Sequence, residues 1–276
     1  MSSPAETGDQ HPRNLVVTSG DSRSGSETGS RGALLTTDGV PIEAGHLPAA
    51  DGSRRLAIVV AHGFSGSMRR PALLRAAQRL RAHGGVVVFS FRGHGGSGGR
   101  STVGDLEVLD LDAAVRWARR LGYERIATVG FSMGGSVVVR HAGIVGVDAV
   151  VAVSSPARWY YRGTAPMRRL HWVVMRPAGR LVSRLGLRTR IHPYDWDPVP
   201  LSPVEAAPLI APAPLLVVHG DRDAYFPLDH PLSLVDAAGD NAELWIEPGF
   251  GHAENAAGPE LLARIGAWLT SRFPAG

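Results

Sequence analysis

The sequence contains no cysteine and no lysine. Without cysteine there are no disulfides, no thiolate metal sites and no cysteine nucleophile, and the chain is compatible with the cytoplasm, its expected location. Its 29 basic residues are all arginine and face 25 acids, a formal net charge of +4. Long apolar runs are also missing. Leu56 to Ala61, one of the longest, has six residues, whereas a membrane-spanning helix needs about 20. Residues 1–31 are rich in Ser, Gly, Thr and Asp and lack the apolar centre of a secretory signal; they read as a disordered tail. The 11 histidines are scattered, with no pair three or four apart. No metal site, nucleotide-binding fingerprint or cofactor is therefore indicated.

What is present is enough apolar sequence for a large buried core. The chain has 276 residues, 44% of them hydrophobic and only 20% charged, which excludes disorder throughout. Leu34 to Ala44 reads as a hairpin around Asp38-Gly39. Short apolar runs at 56–61 and 86–91 read as buried strands, the first covered on both faces, and runs at 126–129, 148–153, 214–218 and 242–246 read as further strands. Helical patterns at 71–82, 106–121, 136–141 and 258–268 lie between or after them. Strands alternating with helices predict a mostly parallel central sheet with helices on both faces, and such sheets carry their sites at the carboxyl ends of the strands. The interval from Ser154 to Ala213 breaks the alternation. It is too long for a plain loop and reads as an inserted subdomain.

Gly130-Phe131-Ser132-Met133-Gly134 fits Gly-x-Ser-x-Gly, a pattern weak by itself. A second match surrounds Ser97. Context separates the two: Ser132 follows an apolar strand and precedes a helix, as a nucleophile elbow requires, whereas Ser97 lies in a glycine run with no strand directly before it. A serine hydroxyl needs a base to take its proton. His252, in the glycine-rich loop after the 242–246 strand, can supply it. A carboxylate must then orient the histidine, and the strand at 214–218 leads into two candidates, Asp221 and Asp223.

These motifs, in this order, resemble the α/β-hydrolase superfamily. The resemblance runs from about Thr37 to Phe273 and rests on His62-Gly63-Phe64, Arg92-Gly93-His94-Gly95-Gly96-Ser97, Gly130 to Gly135, and Gly220-Asp221-Arg222-Asp223 with Gly251-His252. It implies an α/β-hydrolase core over 32–155 and 206–276, with residues 156–205 inserted as a helical cap. It also implies a Ser132–His252–Asp223 triad with Asp221 as a turn residue, and an oxyanion hole from the amides of Phe64 and Met133. His62 is expected to be a hydrogen-bonded structural residue. Two positions depart from the common pattern: Ser90 stands where relatives often carry aspartate, and Gly-Phe-Ser replaces the frequent Gly-His-Ser.

The activity so implied is hydrolysis of a small-molecule carboxylic ester through an acyl-enzyme, as in an esterase or lipase. Acyl transfer, thioester hydrolysis or cofactor-free perhydrolysis would use the same triad, and a non-catalytic ligand-binding protein could share the fold. A serine nucleophile argues against dehalogenase and epoxide-hydrolase chemistry.

Residues 156–205 hold nine arginines and three acids, a local charge of +6, so the rest of the chain is −2. Arg176, Arg180, Arg184 and Arg188 recur every four residues, which on one helix makes a stripe opposite Ala178, Leu181, Val182 and Leu185. The plain reading is a solvated face over an apolar cap. The sharper one is a surface that attracts anionic substrates or peripherally contacts an anionic membrane. Nucleic acid is not an expected partner, because no nucleic-acid-binding motif is present.

Overall fold

The computed structural model describes residues 30–274. The tail reading falls on residues outside this range, except at its end. Ser30 and Arg31, assigned to the tail from sequence, begin strand β1 (Ser30–Leu35) and pair with His46 and Gly45 of β2 (Pro41–Leu47). The hairpin turn between them is held by Thr36, whose Oγ1 accepts from the Val40 amide at 2.8 Å. Gly39 supplies the positive φ of 80° that the turn needs.

Next come β3 (Leu56–Ala61), α1 (Pro71–Leu80), β4 (Gly85–Phe89), α2 (Glu107–Arg120), β5 (Arg125–Phe131), α3 (Met133–Ile144) and β6 (Ala149–Val153). The eight-stranded sheet closes with β7 (Leu215–Gly220) and β8 (Ala242–Glu247), in the order β1-β2-β4-β3-β5-β6-β7-β8. Only β2 runs against the rest. Strand β3 has β4 on one side and β5 on the other, so the connections reverse direction there. The carboxyl ends of β3 and β5 are the topological switch point at which such sheets bind ligands.

The middle of the sheet is dry on both faces, because β3, β4 and β6 are apolar and buried at every position. In β3, Ala57, Val59 and Ala61 pack on one core with residues of α2 and α3. Leu56, Ile58 and Val60 pack on the other with residues of α1 and the C-terminal helix. Burying one such Val, Ile or Leu is worth about 1.5–3 kcal/mol.

The long β6–β7 connection leaves the sheet at Ser154. It contains α4 (Ala165–Met175), α5 (Pro177–Val182), a π turn over Ser183–Leu187 and the short α6 (Pro203–Ala206). The single arginine-striped helix expected across 176–188 does not form. Arg176 is extended (φ −103°, ψ 139°), so α4 stops there and Pro177 starts a new helix. Past Val182 the chain opens into the π turn and ends at Arg188 in the left-handed region, φ 54°. Leu181, Val182 and Leu185, expected to form the face opposite the arginines, are 56%, 50% and 72% exposed.

After β7 lies α7 (Asp229–Ala238), which sequence periodicity did not signal. Its Pro231 sits in the first turn, where a missing N–H costs no helical hydrogen bond. The one-turn α8 (Ala253–Ala256) follows β8, and α9 (Pro259–Ser271) ends the fold. No described helix is long and apolar enough to cross a membrane.

Candidate active site

Ser132 sits between the last residue of β5 and the first of α3, with no linker. That reversal forces it to φ 52°, ψ −116°, a conformation strained for a residue with a side chain. The flanking glycines allow the turn. A Cβ on Gly130 would lie 2.2 Å from the Gly134 oxygen, and one on Gly134 would lie 2.4 Å from the Ala61 oxygen.

The loop after β8 brings His252 over this turn. Ser132 Oγ stands 2.9 Å from His252 Nε2, and His252 Nδ1 stands 2.8 Å from Asp223 Oδ2. Asp223 also accepts at Oδ1 from the amides of Tyr225 (2.8 Å) and Phe226 (3.2 Å). Burial alone would raise the Asp223 pKa, but the histidine and these amides outweigh it and hold the carboxyl below its usual range. An ionised Asp223 favours the tautomer with the proton on His252 Nδ1, and in that tautomer Nε2 is the acceptor facing Ser132 Oγ.

The other aspartate has a different place. Asp221 Oδ1 accepts from the Gly249 amide at 2.7 Å, tying the end of β7 to the loop that carries His252. The Tyr225 ring stacks on His252 at 4.2 Å between centroids. Nothing in the sequence singled out Tyr225 beyond its nearness to Asp223.

Phe64 and Met133 flank the serine from the ends of β3 and β5. A Cβ on Gly63 would come within 3.3 Å of Ser132 Cβ, so the backbone entering Phe64 lies against the serine. Among the described residues neither amide donates a hydrogen bond. His62 is fully buried: its Nε2 accepts from the Phe91 amide at 3.0 Å and its Nδ1 bonds the Gly63 oxygen at 2.7 Å. Burial lowers its pKa to about 3, so it is neutral and structural.

A further carboxyl was missed from the sequence. Glu254 is buried beside this loop, and its Oε1 accepts from the Gly63 amide at 3.1 Å. A glutamate two residues after the histidine reads from sequence as a solvated loop residue, so no pattern marked it.

Ser97, the alternative elbow, is a buried loop residue. Its hydroxyl donates to the Ser90 oxygen and accepts from the Glu43 amide. At Ser90, the carboxylate comes instead from Glu43, whose Oε2 accepts from Ser90 Oγ (3.2 Å) and the Gly96 amide (2.9 Å).

A mainly apolar cavity opens over Ser132. Its walls include Trp159, Tyr161, Met167 and Val174 of the β6–β7 connection and Val103 and Phe64 of the core. Trp159 and Trp196 meet edge to face at 5.0 Å. Their indole N–H groups donate to the Pro200 oxygen (2.9 Å) and the Thr102 oxygen (2.7 Å), so these large rings bury no unpaired donor. The opposite rim is stiffened by buried Glu107, which accepts from the hydroxyls of Ser101 and Thr102 and the amides of Thr102, Val103 and Gly104. No group of three or more metal-ligating side chains occurs among the described residues.

Comparison with known proteins agrees with this architecture. The family model described as "alpha/beta hydrolase fold" matches residues 57–175. A monoacylglycerol lipase of Mycolicibacterium smegmatis is 27% identical over 269 residues, covering 81% of this chain and 91% of that one. An uncharacterized protein of Mycobacterium tuberculosis is 27% identical over 238 residues, covering 82% of this chain and 72% of its own. Among solved structures, the Pyrococcus furiosus esterase Pf2001 superposes with a TM-score of 0.70 at 24% identity, over 88% of this chain and 92% of that one. A serine hydrolase without lid from Xanthomonas campestris gives 0.61 at 21% identity, over 92% and 100%.

Proposed function

We propose that this chain, which has the α/β-hydrolase fold, is a serine hydrolase of that superfamily cleaving carboxylic esters. The observation that carries the reading is the continuous chain of contacts Ser132 Oγ–His252–Asp223 at 2.9 and 2.8 Å, beneath an apolar cavity that can take an acyl chain.

Ser132 Oγ attacks the acyl carbonyl carbon as His252 Nε2 takes its proton. The carbonyl oxygen becomes an anion held by the Phe64 and Met133 amides; losing one such donor in known sites costs about 10²–10³ in rate. The bond to the leaving alcohol then breaks, and His252 returns its proton to that oxygen. Water, deprotonated by the same histidine, attacks the acyl-enzyme, and Ser132 recovers its proton as the carboxylic acid leaves. Asp223 keeps its negative charge throughout and stabilises the cationic histidine. Residues 156–205 act as a cap whose aromatic and aliphatic side chains shape the acyl pocket. The reaction needs no cofactor, and the absence of cysteine suits a cytoplasmic setting.

The test is a series of p-nitrophenyl esters of increasing acyl length. Hydrolysis is expected to improve as the chain grows to fill the apolar cavity and then level off. Trp159→Ala should raise KM for the longer esters and leave the acetate little changed. No hydrolysis of any ester by folded protein would contradict the reading.

A further inference from the structure

The β6–β7 connection carries a second cavity, on its outer side, that the ester reaction does not use. It is an open hollow of about 290 Å³ lined by Arg100, Arg180, Arg184 and Arg190 with Leu181 and Ile191. Arg180 belongs to α5 and Arg184 to the π turn. Arg190 is pinned to the core by its backbone, with its amide donating to the Gly93 oxygen (2.9 Å) and its carbonyl accepting from the Ser101 amide (2.7 Å). Arg100 precedes Ser101 on that core loop. Three chain segments thus bring four arginine side chains to the lining of one hollow.

No carboxylate pairs with any of the four among the described residues. Arg180 is held by the carbonyls of Val174 and Met175, and Arg190 by that of Ser97. The lining contains no acid. Four like charges around one cavity repel one another, and an anion relieves that repulsion. The π turn widens this part of the chain, a distortion that recurs at functional sites.

Beside the cavity, Leu181, Val182 and Leu185 project half or more into solvent. Apolar side chains next to unpaired arginines form the combination by which a surface segment settles into an anionic bilayer. The apolar groups enter the acyl boundary and the cations meet the phosphates. A soluble anion would account for the arginines and leave the three exposed side chains unexplained.

We propose that this cavity and ridge are a docking site for an anionic phospholipid surface, with Arg100, Arg180, Arg184 and Arg190 receiving a headgroup phosphate and Leu181, Val182 and Leu185 inserting beside it. The site lies outside the triad, and its occupancy is read without turnover, so it stands or falls independently of the ester-hydrolase reading.

The experiment is co-sedimentation of the full chain with vesicles of phosphatidylcholine alone or mixed with phosphatidylglycerol. Binding is expected to the mixed vesicles only, and to weaken with added salt. The Arg180→Gln/Arg184→Gln variant should bind the mixed vesicles roughly 25-fold more weakly, about fivefold for each arginine removed. The Leu181→Ser/Leu185→Ser variant should also lose binding with its charge intact. Unchanged thermal unfolding midpoints show that both variants remain folded. Equal binding to the two vesicle types, or wild-type binding by both variants, would overturn the proposal. So would a wild-type protein that ignores vesicles yet is stabilised by inorganic phosphate in an Arg180- and Arg184-dependent way, because the cavity would then serve a soluble anion.

Discussion

The Glu254 carboxyl accepts a 3.1 Å hydrogen bond from the Gly63 amide, and so holds the loop that presents Phe64 to the serine. Both groups crowd the same backbone: a Cβ on Gly63 would lie 3.3 Å from Ser132 Cβ and 3.4 Å from Glu254 Oε2. Burial is the largest influence on this carboxyl and raises its pKa, against the opposing amides of Glu254 and Gly63 and the charge of His252. Its neutral form therefore persists to higher pH than that of an ordinary glutamate.

Under the proposed mechanism, Glu254 acts as a positioning residue for the Phe64 amide. Glu254→Ala should lower kcat roughly 10- to 100-fold with little change in KM, since displacing groups around a reacting centre acts on the transition state. Glu254→Gln keeps an acceptor for the Gly63 amide and should stay much closer to wild type. An ionised carboxylate beside the developing oxyanion opposes the reaction, so wild-type kcat should lose ground to the Gln variant as pH rises through the raised Glu254 pKa. Equal losses in both variants, with KM rising in step, would contradict this role.

The two aspartates after β7 should separate cleanly. Asp223 contacts His252, whereas Asp221 contacts only the Gly249 amide of the histidine loop. Asp223→Asn should reduce kcat by about 10⁴, because an amide favours the wrong histidine tautomer. Asp221→Asn should cost a small fraction of that. Steady-state kinetics on one soluble ester distinguishes them, and the reverse ranking would move the acid to Asp221.

Stability should fall in mild acid. Burial holds His62 at a pKa of about 3 and His141 and His230 at about 4, all below the ordinary 6.5. Between about pH 4 and 6.5 the unfolded chain binds more protons than the native one at these sites. Native stability therefore rises with pH through this window and is lost as pH falls through it, by up to about 1.4 kcal/mol per pH unit for each histidine. Urea midpoints measured from pH 7 down to pH 5 should drop steadily; a flat profile would show that these side chains are not buried neutral.

Much of this site was legible because its signals are local. The run from Arg125 to Ile144 places an apolar strand, a Gly-x-Ser-x-Gly turn and a helix in direct succession, and the geometry of Ser132 follows from that succession. Glu254 was illegible because its meaning lies in a contact with Gly63, 191 residues away. The arginine stripe misled for a related reason. Its spacing of four assumes unbroken α-helix, while Arg176 is extended and 183–187 is a π turn. The arginines were consequently regrouped: Arg180 and Arg184 line one hollow with Arg100 and Arg190, while Val182 and Leu185 are exposed beside it and Leu181 lies at its edge.

The central claim is that Ser132 is a nucleophile activated by His252. Its most direct test is reaction of the intact protein with a fluorophosphonate, followed by mass spectrometry of the labelled peptide. The account predicts one phosphonyl adduct per chain, located on Ser132, absent in Ser132→Ala and slowed by orders of magnitude in His252→Ala. Ester hydrolysis should fall roughly 10⁴- to 10⁶-fold in the same serine variant. Folded wild-type protein that takes up no label, or label that persists in Ser132→Ala, would contradict the account.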